Sequence, residues 1–193
     1  MKQCVKGVLN GFFVVLNLPF LALYVLLKPI SRRDELFAGF SQFYALWPGK
    51  MGVYFRRNFY RFTMKHFGKN VTIGFGTLFS HVDTEIGDNV YIGPQSNIGM
   101  CRIGSECLIG SGVHVLSGRH QHNFSDKNRP LREQGGVYIK IKIDENCWIG
   151  NCAVVMGNVA ARTVVGAGAI IVTVTQSDSI VLGPRARQHV VPE

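Results

Sequence analysis

The residues best suited to chemistry in this sequence are the histidines of one short run, Ser117-Gly118-Arg119-His120-Gln121-His122. An imidazole titrates near neutral pH, so it can take a proton from a hydroxyl while that hydroxyl attacks a carbonyl, and return it afterwards. His81 and His114 lie within regular repeats, and His66 and His189 in flanking segments, which points to structural or surface roles for them. The five cysteines include no C-x-x-C pair, and Cys101, Cys107 and Cys147 each stand two residues before an aliphatic repeat position. That placement predicts small buried side chains in a reducing compartment, with no metal centre.

The elements that must position the histidine run announce themselves by rhythm. An aliphatic or aromatic residue recurs at a spacing of six: Ile73, Phe79; Ile86, Ile92, Ile98; Ile103, Ile109, Val115; Ile143, Ile149, Val155; Val159, Val165, Ile171. Glycine directly follows eight of these. Neither the helical nor the simple strand period yields sixes punctuated by glycine, whereas a coil of short strands that turns a corner after each inward aliphatic does. The core is then an all-β solenoid, stabilised coil on coil. The rhythm stops at Val115 and resumes near Ile141, leaving 116–140 as a loop insertion that carries the histidines. A long loop interrupting a regular solenoid is a common seat of function.

Charge divides the chain into two domains, 1–70 and 71–193. The first holds 11 of the 21 Lys and Arg against Asp34 and Glu35 alone, and the second holds ten of each sign, so the whole net charge of +9 sits in the first third. Val8 to Leu27 is a twenty-residue stretch without a charge, about 30 Å as a helix and long enough to span a bilayer. Cations flank both ends, and Asn17 and Pro19 interrupt the middle, which favours a bent, re-entrant insertion slightly over a plain span. Further on, Lys50, Arg57, Arg61 and Lys65 share one helical face, with Met51, Phe55, Phe59 and Phe62 about 100° away. Such a helix either lies among lipid headgroups with its aromatics dipping inward or packs on the domain with a solvated cationic face. Basic segments meet lipid or nucleic acid, and the apolar stretch alongside favours lipid, with no nucleic-acid partner.

The stretch Ile143-Asp144-Glu145-Asn146-Cys147-Trp148-Ile149-Gly150, followed by Val164-Val165-Gly166-Ala167-Gly168-Ala169 and Ser179-Ile180-Val181-Leu182-Gly183, resembles the hexapeptide-repeat acyltransferases, in particular the galactoside and maltose acetyltransferase branch and its polysaccharide O-acetyltransferase relatives. The resemblance covers 71–187 and implies a left-handed parallel β-helix working as a homotrimer, with acetyl-CoA as co-substrate, no metal, and a saccharide hydroxyl as acceptor. It casts His120 as the general base, since that histidine follows the Ser-Gly pair as in the sugar-acetylating relatives. Asn97, Arg119 and His122 become candidate acceptor contacts, and the Gly150-Asn151 corner the donor for the oxyanion. Trp148, Ala167 and Gly168 match the wall and corner along which CoA lies. Relatives often carry Ser in place of Asn151 and Lys in place of Thr173, which moves the expected phosphate contact to Arg185 or Arg187. The uncharged stretch and its cationic flanks then imply an enzyme on the cytoplasmic face of the plasma membrane, where CoA thioesters are made. Two other readings compete: a γ-class carbonic anhydrase-like zinc hydro-lyase, with three of His81, His114, His120 and His122 binding zinc across a subunit interface, and a non-catalytic membrane scaffold.

Overall fold

The structure, a computed structural model, describes residues 2–183. Three helices precede the solenoid: α1 (Lys2–Leu27), α2 (Arg33–Ala45) and α3 (Gly49–Thr63). The coils follow in threes: β1 (His66–Phe67), β2 (Thr72–Ile73) and β3 (Leu78–Phe79); β4 (Glu85–Ile86), β5 (Tyr91–Ile92) and β6 (Asn97–Ile98); β7 (Cys101–Ile103), β8 (Leu108–Ile109) and β9 (His114–Val115); β10 (Ile141–Ile143), β11 (Trp148–Ile149) and β12 (Val154–Val155); then β13 (Val164–Val165), β14 (Ile170–Ile171) and β15 (Ile180–Val181). Every pairing is parallel, and the strands stack into three faces of a prism: β1-β4-β7-β10, β2-β5-β8-β11-β13-β15 and β3-β6-β9-β12-β14. This is the parallel β-helix of the left-handed hexapeptide type. Each aliphatic of the six-residue series is buried on the prism axis. Each contributes roughly 1.5–3 kcal/mol by leaving water.

The three corners of the coil are not alike. After the first face a left-handed residue makes the turn in every coil, at Asn70, Asn89, Glu106, Asn146, Arg162 and Asp178, and after the second face Gly76, Gln95, Gly112, Cys152 and Gly168 do the same. Asparagine, aspartate and glycine tolerate this conformation at least cost, and here side chains such as Asn70 and Asn89 also bond one another up the stack. The third corner has no such residue between 80 and 84, 99 and 100, or 156 and 158. The short steps from Ile98 to Ile103 and from Val155 to Val159 fall there, and so does the insertion.

The helices form a cap on the first coil, so the two domains meet tightly and β1 already belongs to the prism. Arg56, buried within α3, donates from Nε to the carbonyl of Ile73 (3.0 Å) and from Nη1 to those of Tyr44 (3.2 Å) and Trp47 (2.7 Å). The last two carbonyls mark the end of α2, where a helix concentrates negative charge. Ser41 accepts the Phe79 amide (2.8 Å) and bonds Tyr60, while Asp34 accepts the Val82 amide (3.0 Å). Phe55 and Phe59, which could have faced lipid, are buried against α1 and α2; only Met51 and Phe62 of that aromatic face are exposed. α1 runs as one helix from Lys2 to Leu27 with Pro19 inside it. Asn17 explains itself differently: its side chain donates to the Phe13 carbonyl (2.7 Å) and accepts from the Tyr44 hydroxyl (2.6 Å), fixing α1 to α2. Only one stripe of α1 is covered. The window Gly7–Ile30 has a mean hydropathy of 2.0 and is 17% buried, leaving Val8, Phe12, Val15, Leu18, Val25 and Leu26 outward.

Candidate active site

The insertion 116–140 folds into an arm at the third corner, between β9 and β10. Its two limbs run antiparallel as irregular chain: the Ile139 amide donates to the Ser117 carbonyl (2.9 Å), Val137 to that of His120 (2.8 Å) and Asn123 to that of Gly135 (2.9 Å). Gly136 crosses so close to the Gln121 carbonyl that a Cβ there would collide with it. The arm is thereby held near its root, and Gly118, with φ +90, turns the chain out of the coil. His120 lines a cavity of about 190 Å³ between the arm and the two coils above, walled by Ile139, Met156, Asn158, Val172 and Thr173. Arg119 lines it too and reaches to 3.5 Å from the Val172 carbonyl. His122 stands further out, exposed and off the cavity wall. Among the described residues neither imidazole has a hydrogen-bond partner, and His120 is exposed beside the cavity.

The residues expected to meet the thioester lie at a different corner. Gly150, Asn151, Ala167 and Gly168 turn the chain from the second face into the third, with Trp148 projecting outward from the second face, 56% exposed. Of the Gly150-Asn151 pair, the Gly150 amide is taken up by the Val165 carbonyl (2.7 Å) and cannot serve an oxyanion. The Asn151 side chain is also engaged, its Oδ1 accepting the Ser111 amide at 3.0 Å. What remains is the Asn151 backbone N–H, which has no partner among the described residues. The Gly168 amide is likewise bonded, to the Asn151 carbonyl at 2.9 Å.

Within one chain these two halves stand at opposite edges of the third face. The six residues between the corners span on the order of 15–20 Å, too far for one reacting carbon to touch both. Asn97 lies on the outer surface of that face, in register with Leu78 and His114. Thr173, where relatives carry a Lys, lines the His120 cavity. Arg185 and Arg187 fall outside the described residues. The cavity walls at 139, 156–158 and 172–174 were missed from sequence; counting the third corner upward from the insertion would have found them. No three His, Cys, Asp or Glu side chains among the described residues of one chain converge on a point that would hold a metal ion. Burial pushes the Cys101 thiol up to about 12, as expected of a structural cysteine.

The family of bacterial transferase hexapeptide repeats (six repeats) matches residues 83–117, ending where the arm begins. Among solved structures, a maltose O-acetyltransferase from Clostridium difficile 630 superposes with a TM-score of 0.66 at 17% identity, covering 78% of this chain and 82% of its own. A hexapeptide-repeat-containing acetyltransferase from Vibrio cholerae O1 biovar eltor, complexed with acetyl coenzyme A, gives 0.59 at 19%, covering 76% and 80%. The likeness at these identities is one of fold. No curated protein matches the chain.

Proposed function

We propose that this protein is an acetyl-CoA-dependent O-acetyltransferase that acetylates a saccharide hydroxyl, on a lipid-linked or membrane-proximal acceptor, at the cytoplasmic face of the plasma membrane. The observation that carries the reading is the placement of His120: a free imidazole on a braced arm, beside a cavity, at the one corner where a hexapeptide prism is interrupted. The acetyltransferases that share the fold support the donor. In this mechanism His120 takes the acceptor hydroxyl proton as the oxygen attacks the thioester carbonyl. The Asn151 amide receives the developing oxyanion, and the imidazolium returns its proton to the departing thiolate, leaving an acetyl ester and the free thiol. Ala167, Gly168 and Trp148 would flank the pantetheine arm.

Separation of the halves supports a homotrimer, because a neighbouring prism that brings its Asn151 corner to this chain's His120 edge completes the site. Exposed Tyr91, Leu108, Trp148 and Ile180, stacked on the outer second face, give such a neighbour an apolar surface to cover. The outward apolar side chains of α1 support membrane seating, and three copies per trimer would reinforce weak individual insertions.

The first test is incubation of the enzyme with labelled acetyl-CoA and membrane extract, with identification of the labelled product; a free sugar as sole acceptor removes the membrane part of the reading. Subunit mixing tests the shared site. His120→Ala removes the base, and Ala167→Trp, at an exposed corner, blocks the thioester. Each alone is expected to be inactive, and co-expressed chains should recover about a quarter of wild-type activity by random assortment. No recovery would place both halves in one chain.

A further inference from the structure

The cations of the helical cap are not equivalent. Arg56 is buried among carbonyls, and Lys65 is paired with Glu85 at 3.0 Å. Among the described residues Lys50, Arg57, Arg61 and Lys69 have no carboxylate partner. Three come from α3 and Lys69 from the corner after β1, yet they converge on two recesses that share Arg57 and Asn70. One recess, about 550 Å³, is lined by Arg57, Arg61, Lys69 and His66 together with the carboxylate-bearing Asp88. That carboxylate is tied to the Lys69 backbone amide (2.6 Å). The other, about 600 Å³, lies between Lys50, Tyr54, Arg57 and the Gly7–Asn10 start of α1. The Asn10 side-chain oxygen is shut off from solvent and has no hydrogen-bond partner among the described residues.

We propose that this joined groove binds the phosphate of a membrane lipid headgroup, one lipid per subunit, at a site separate from the His120 cavity. The inference rests on the membrane-seated reading and deepens it, because the partner becomes a discrete phosphate ester held by convergent cations rather than a diffuse anionic surface. Guanidinium groups suit this ligand, giving phosphate oxygens paired donors in a planar fork. A lipid rather than a free anion is the occupant because the groove opens at the start of α1. Gly7 stands on its rim, and Leu18 and Val25, exposed and uncharged, follow on the same side of α1 and offer a track for the attached chains.

The test uses the full chain in non-ionic detergent micelles doped with dioleoyl phosphatidic acid. Dioleoylglycerol, with the same chains and no phosphate, and inorganic phosphate, without chains, are run beside it. Phosphatidic acid is expected to saturate at one per subunit and to be displaced by neither. Arg57→Gln combined with Arg61→Gln should weaken binding about tenfold or more. A control of equal charge loss on the arm, Lys127→Gln with Arg132→Gln, should leave it unchanged. Binding that does not saturate, or that falls equally in the control, overturns the site in favour of general charge attraction; displacement by inorganic phosphate overturns the lipid assignment. His120→Ala should abolish transfer and keep phosphatidic acid binding, so failure of the catalytic reading and failure of this one are separately visible.

Discussion

The prism and the helical cap reach stability by opposite routes. In the prism each inward aliphatic stacks on its counterpart one coil away, so order is local, repeated and redundant. In the cap, rings meet at every angle from the stacked Phe13 and Tyr54 to the edge-on Tyr24 and Phe59, and a handful of buried polar anchors decide how the helices sit. The difference teaches where to look for function. Redundant order makes a scaffold that presents the Asn151 corner, while the arm, the cap and the third corner, where the period fails, carry the charged and titratable groups that can meet other molecules.

The largest expected effect comes from the arm. His120→Ala should lower kcat by about a hundredfold or more with little change in CoA affinity, since the base acts in the transition state, whereas His122→Ala should change it by no more than about threefold. Steady-state kinetics with acetyl-CoA and the identified acceptor measures both. Reversed magnitudes would move the base two residues outward, to a side chain outside the His120 cavity.

The same contrast explains what the sequence reveals of this molecule. Ile73 to Ile171 are legible because one residue per rung encodes the period and nothing distant is required. The loop that carries His120 is legible because the insertion breaks that period. The engagement of the Gly150 amide is not, since it depends on which carbonyl the next coil brings above it. Phe55 and Phe59 show why amphipathicity is ambiguous: it marks a face without saying whether protein or lipid covers it. Arg56 is the hardest case. It adjoins Arg57 in sequence, and only the carbonyls of Tyr44, Trp47 and Ile73, drawn from separate elements, distinguish a buried clasp from a surface cation.

Arg56 gives the second prediction, intermediate in size. Arg56→Met keeps an apolar stem but leaves three carbonyls without their donor, and should destabilise the fold by about 3 kcal/mol, read as a lowered denaturant midpoint. Arg57→Met, one residue away and only partly buried, should cost less than about 0.5 kcal/mol. Equal effects would mean that cap and prism are joined by apolar packing alone and that the clasp contributes little.

The smallest effect concerns the point at which both irregular regions touch the regular one. Glu85, on the outer surface of the first face, bonds Lys140 at the base of the arm (2.8 Å) and Lys65 just after α3 (3.0 Å). These bonds, Lys140 first, hold its carboxyl at about 2, below its ordinary 4.5. A depressed carboxylate stabilises the folded state fully above its unfolded value, so the contribution is present above about pH 4.5 and fades as pH falls toward 2. Lys65 is largely exposed, which allows solvent to screen much of the attraction, and the expected contribution is on the order of 1 kcal/mol. Stability measured from pH 6 down to pH 2.5 for the wild type and Glu85→Gln should therefore show two curves that are separated at the upper end and converge at the lower. The variant should also be cut faster by protease within 119–139 at pH 6, because Lys140 no longer holds the root of the arm. Curves that coincide at pH 6, or a gap that persists undiminished to pH 2.5, would show that Glu85 does not tie the arm and the cap to the prism.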